Sequence, residues 1–179
     1  MRLVPGLPLI LTMLVAGCVE PDLGPDAAEL ANIRKSNIVP KSSASAFVKT
    51  FDKFCVTGPA APAAKEALLR DAGYVPLRAP INGARAFVSD DRRPAVAFSD
   101  RSCMVYARSR TGQTNRVNRY MRATFPQAVA LDPATAGRSF EQVWQVSDSP
   151  AALVGSSRHN DGGNRTRFAL SYFRPGSRP

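Results

Sequence analysis

Proline and glycine set the scale of every element this chain can form. Fifteen prolines and twelve glycines are spread through 179 residues. Each proline removes a backbone donor and fixes its own φ, so helices and strands must start or stop around it. Between these breaks the apolar residues follow two periods. Up to residue 73 the period is helical. Ser42 or Ser43 is placed to cap a helix reaching about Phe54, on which Phe47, Phe51, Phe54 and Cys55 form one stripe. Pro62 opens a second helix that Gly73 closes, with Ala64, Ala67, Leu68 and Ala72 expected inward and Lys65, Glu66 and Arg70 outward. The period then changes to two, giving short strands over 84–89, 95–99 and 103–108. In the last of these, Cys103, Val105 and Ala107 share one face, and Met104 and Tyr106 the other.

Helical spacing returns over 114–125, with Val117, Tyr120, Met121 and Phe125 inward and Pro126 as the stop. Residues 140–147 alternate, placing Phe140, Gln142, Trp144 and Val146 on one face. Residues 151–158 and 166–173 read as a hairpin whose connection, running from His159 to Asn164, tolerates positive φ. This order predicts an α+β fold, an antiparallel sheet of about five or six short strands with about three helices packed on it. A hydrophobic share of 44% with 21% charged residues excludes wholesale disorder, and the length suits one domain.

The N-terminus departs from this pattern. Residues 1–18 read MRLVPGLPLILTMLVAGC, one cation followed by an apolar run. The run is shorter than the roughly 20 residues a spanning helix needs and has the layout of a secretory signal. Its end, Leu14-Val15-Ala16-Gly17-Cys18, resembles the lipobox of bacterial lipoprotein precursors. The resemblance covers these residues only. It implies that 1–17 are removed as a signal peptide and that Cys18 becomes the lipidated first residue, anchored to a membrane by several acyl chains. Val19 stands where an Asp marks inner-membrane retention in enteric bacteria, which implies an outer-membrane lipoprotein with its domain in the periplasm. Residues 18–41 then read as lipidated Cys and flexible tether, within which Ala27 to Ile33 has the composition of a short helix. Residues 42–174 read as the globular domain and 175–179 as a disordered tail.

With Cys18 assigned to the anchor by that resemblance, Cys55 and Cys103 remain. An exported domain meets an oxidising compartment, where the two are expected to pair. Closing that loop restricts the unfolded chain and contributes about 4 kcal/mol. Buried free thiols are the alternative. Zinc would need more ligands and a nucleophilic thiol a basic partner, and the one histidine, His159, falls in the Gly-rich connection. No metal or cofactor is expected.

The formal net charge is +10, with 24 Lys+Arg against 14 Asp+Glu. Arginine prefers bidentate contact with phosphate and carboxylate. Arg108 and Arg110 before the third helix, with Arg116, Arg119 and Arg122 along it, form the candidate anion-binding group. Anionic lipid, lipopolysaccharide and peptidoglycan are the matching partners; an ordinary solvated surface in an Arg-rich composition is the competing reading. Nucleic acid is excluded by export and by the lack of any helix-turn-helix, zinc-finger or RNP pattern. The sequence contains no Gly-x-Ser-x-Gly, HExxH, Cys-x-x-Cys or Gly-x-Gly-x-x-Gly motif. Asp90 and Asp91, followed by Arg92 and Arg93, read as a turn with ion pairs. The expectation is a non-enzymatic envelope lipoprotein whose domain binds an anionic component or supports a protein complex. A cell-wall hydrolase with carboxylates assembled only by folding and a periplasmic enzyme inhibitor are the alternatives.

Overall fold

The computed structural model describes residues 26–109, 113–136, 139–148, 150–161 and 166–174. The chain begins with α1 (Ala27–Asn32), α2 (Lys35–Ile38) and α3 (Ala44–Phe51), which runs on into a π turn (Asp52–Val56), and then α4 (Pro62–Asp71). A first meander follows: β1 (Val75–Pro76), β2 (Arg85–Val88), β3 (Ala95–Phe98) and β4 (Ser102–Ser109). Next come α5 (Gln113–Thr124), β5 (Val129–Leu131), α6 (Pro133–Ala136), β6 (Gln142–Asp148), β7 (Ala151–Asn160) and β8 (Thr166–Phe173).

The α+β class agrees with expectation. The strand and helix counts are both larger than expected, and the strands form one open eight-stranded sheet in the order β1-β2-β3-β4-β8-β7-β6-β5. Every neighbouring pair is antiparallel. The last strands of the two meanders, β4 and β8, pair along eight residues at the centre, and α5 carries the chain from there to the far edge. The strands that sequence periodicity missed are the outermost ones, β1 and β5. At two and three residues they are too short to display a period of two, and Pro76 is tolerated at an edge because no neighbour there needs its missing N–H.

One face of the sheet is covered by α3, the π turn, α4 and α5. Ser43 caps α3 as expected, its hydroxyl accepting from the Ala46 amide at 3.1 Å. Phe47, Phe51 and Phe54 pack against Phe87, Phe98, Val105 and Leu170. Cys55 in the π turn is bonded to Cys103 in β4, with their Cα atoms 5.3 Å apart. That spacing is ordinary for a disulfide. Gly58 lets the chain leave the π turn, since a Cβ there would lie 2.7 Å from the Lys53 carbonyl oxygen.

Lys65 corrects the helical-wheel reading of α4. It is 1% exposed and lies inward beside Leu69, whereas Ala64 and Ala67 are exposed. Its ammonium donates to the Phe54 carbonyl, one of the helix-end acceptors that intrahelical bonding leaves over. Burial pushes the Lys65 pKa down to about 8.

The opposite face is lined with small side chains over β2 and β3, among them Ala86, Val88, Ala95 and Ala97. Leu30, Ile33, Ile38 and Val39 pack on them. Residues 26–41, within the stretch read as a tether, therefore contribute α1 and α2 to the folded unit. Two chelating hydrogen bonds from Arg70 to the Asp26 carboxylate fix the start of α1 to α4, and they hold that carboxyl below its usual range. Residues 40–42 then run beside the end of β4, where Arg108 N donates to Pro40 O at 2.8 Å and Ser42 N to Arg108 O at 3.1 Å. No helix of the described residues is long and apolar enough to cross a membrane.

Candidate functional site

The register of the central strands assembles a basic row that no local pattern announces. Arg108 on β4 lies directly across from Arg167 on β8, and Arg167 directly across from His159 on β7. One step inward the same face carries Tyr106, Ala169 and Ser157. Like charges directly opposite each other repel, and one carboxylate bridges them. Asp161, just past the end of β7, accepts from Arg167 at 3.0 Å and pairs with Arg108 at 3.5 Å and with His159 Nε2 at 3.8 Å. The Nε of Arg108 is buried and makes no hydrogen bond, so the contact with Asp161 is an ion pair alone. Two guanidiniums against one carboxylate leave the row with a net positive charge.

This row stands at the rim of a cavity of about 510 Å³ on the face opposite the cover of α3, α4 and α5. Ala169 and Ser157 are small enough to leave the floor low. Ile38 and Val39 from the N-terminal segment, and Ile81 and Asn82 from the β1–β2 connection, form its walls. Asn82 (φ 50°) and Gly83 (φ 74°) both take positive φ, and Ile81 and Ala84 exchange two hydrogen bonds of 2.9 Å across them. That is the geometry for which Asn-Gly is favoured in two-residue turns. The turn brings the Asn82 amide within 3.4 Å of the Tyr106 hydroxyl, which in turn donates to Met104 Sδ at 3.2 Å. Burial raises the Tyr106 pKa, so at neutral pH its hydroxyl remains a neutral donor.

Of the arginines singled out in the sequence, Arg108 lines this cavity. Arg116, Arg119 and Arg122 lie on α5, whose Val117 and Met121 pack into the core on the opposite face. Arg119 and Arg122 are exposed, and Arg116 is half-buried with its Nε lacking a hydrogen-bond partner. Arg110, like Cys18, lies outside the described residues. His159 is in strand β7 rather than in a connecting turn, because the hairpin pairing continues to Asn160 and Thr166. Phe140 leaves the face expected for it. It lies on the cavity side of the sheet over Gly155, where a Cβ would come within 2.6 Å of its ring, and makes an edge contact with Phe173 at 5.7 Å. Trp144 and Val146 remain with the helix-side core.

Several carboxylates are engaged in separate ion pairs. Glu66 binds Arg70 and Arg85, Glu141 binds Arg158, and Asp91 binds Arg93 in the turn anticipated for it. Among the described residues, no group of three or more His, Cys, Asp or Glu side chains is placed to hold a metal ion.

No family model, curated protein or solved structure matches this chain.

The residues missed in the sequence were Arg167, His159 and Asn82. Asn82-Gly83 carried a readable turn signal. Arg108 and Arg167 are brought together only by the long-range β4–β8 register.

Proposed function

We propose that this protein is a lipid-anchored component of a bacterial cell envelope whose domain binds an anionic ligand in the Arg108–Arg167–His159 cavity. In this reading Cys18 holds the membrane, the outer membrane in preference to the inner, and the domain stands in the periplasm. The disulfide between Cys55 and Cys103 supports an oxidising compartment. The observation that carries the binding reading is the paired guanidiniums of adjacent strands, incompletely neutralised by Asp161, at the rim of the cavity. A cavity of this size falls in the range that accommodates small ligands, and two forked donors suit one carboxylate or phosphate.

Binding is tested by titrating acetate and inorganic phosphate into the protein at low ionic strength and following backbone amide shifts. Saturable shifts at Arg108, Arg167 and Ala169 are expected; a response confined to α5, or none, would overturn the reading. Anchoring is tested by metabolic labelling with palmitate. Label should enter the wild-type chain and be lost in Cys18→Ser, which should also move the protein to the soluble fraction. A wild-type chain that takes up no label would remove the anchor.

A further inference from the structure

A second concavity adjoins the basic cavity. It is a groove of about 430 Å³ between the N-terminal helices and the segment after β1. Leu30, Ile33, Leu77 and Pro80 line it, and apart from the exposed Arg78 every lining residue is apolar. Ile38 and Ile81 line both spaces. A charged chamber and an apolar channel thus share a wall, and a molecule that filled both would need an acidic end and a hydrocarbon end.

Resting on the anion-binding reading above, we infer that the ligand is a free fatty acid, its carboxylate against Arg108 and Arg167 and its chain along the Leu30–Ile33–Leu77–Pro80 groove. The charge balance selects the head group. Among the described residues, the two guanidiniums and the Asp161 carboxylate leave one positive charge, which a single carboxylate neutralises. A phosphate monoester brings about −1.5 to −2 at pH 7 and would be left over-compensated. The charge also argues against the chain's own anchor as occupant, because acyl groups on Cys18 carry no acidic end to place in the cavity.

The test uses the unacylated chain from residue 19 onward, which contains every described element, with acetate, octanoate, decanoate and laurate as probes in calorimetric titrations. Affinity should tighten with chain length, by up to about fourfold for each methylene that enters the groove. It should fall by about tenfold or more in Arg108→Ala/Arg167→Ala. Leu77→Ser should weaken laurate and leave acetate unchanged. If that variant fails to fold, a spin-labelled fatty acid bound to the wild-type chain should broaden the signals of Ile33 and Leu77.

Equal affinity from acetate to laurate, still dependent on the two arginines, would overturn the fatty-acid inference and leave the anion cavity standing. No binding of any acid would overturn both. Laurate binding indifferent to Arg108 and Arg167, or lauryl phosphate binding tighter than laurate, would each refute the carboxylate placement. So would an acylated full chain that refuses the laurate its unacylated form accepts, since the groove would then belong to the anchor.

Discussion

The two faces of the central sheet are built from different side chains and do different work. On the helix side, phenylalanines from α3, the π turn, β2 and β3 interlock, and the Cys55–Cys103 bond ties the cover to the sheet. On the other side, the residues of β2 and β3 are mostly alanine and valine, and α1 and α2 cover only that half. The uncovered part, over β4, β8 and β7, is where the small side chains Ala169 and Ser157 leave room for a cavity and the register places its charges. Large side chains under a full cover give a rigid platform. Small ones under a partial cover leave a concave surface that can accept something else.

The largest effect that would test this contrast is a truncation on each face. Phe51 is fully buried, and Phe51→Ala should cost about 3–5 kcal/mol in denaturant unfolding. Ile33→Ala on the cavity face, half-buried at the edge of its cluster, should cost about 1 kcal/mol. Equal losses would mean that both faces are equally load-sharing and that the cavity face is a second core. Reduction of the disulfide comes next. Breaking Cys55–Cys103 should remove roughly 4 kcal/mol by restoring unfolded-state freedom across the 48-residue separation. The midpoint in reductant should fall accordingly, and a midpoint unmoved by reductant would show that the bond does not anchor the helix cover.

A smaller effect lies in the pH dependence of the helix side. Lys65 titrates near 8 when folded, against an ordinary value of 10.5. Between these values the unfolded chain binds more protons than the folded one, so stability rises with pH across that window. The penalty of burying the ammonium is therefore full below about pH 8 and is relieved toward pH 10. Lys65→Met should abolish this rise, read as the difference between wild type and variant from pH 7.5 to 9.5 in urea melts. A difference that stays flat across that range would mean that Lys65 is solvated in the folded protein.

Much of the helix side was legible in the sequence, because its signals are local. The Phe47–Phe51–Phe54 stripe, the Ser43 cap, the inward row of α5 and the facing of Cys103 all follow from periodicity within a few residues. The pairing of Cys55 with Cys103 followed once Cys18 had been set aside. Lys65 was misplaced because helical periodicity treats a lysine as solvent-facing and has no knowledge of a spare carbonyl at the end of the π turn. On the cavity side the information is non-local. Residues 26–41 look like a linker in composition, yet the few apolar residues among them find an alanine-lined surface. Arg108 was singled out for its neighbours in sequence, Arg110 and Arg116, whereas its partners in space are Arg167 and Asp161, placed there by strand pairing more than fifty residues away.

The most direct test sets the two basic regions against each other. Octanoate binding at low ionic strength is measured for Arg108→Ala/Arg167→Ala on the cavity face and for Arg116→Ala/Arg119→Ala/Arg122→Ala on α5. The first variant should lose about tenfold or more in affinity, as expected for removing charged hydrogen bonds, and the second should bind like the wild type. Loss in the α5 variant with binding retained in the cavity variant would contradict the assignment of the open face as the binding face.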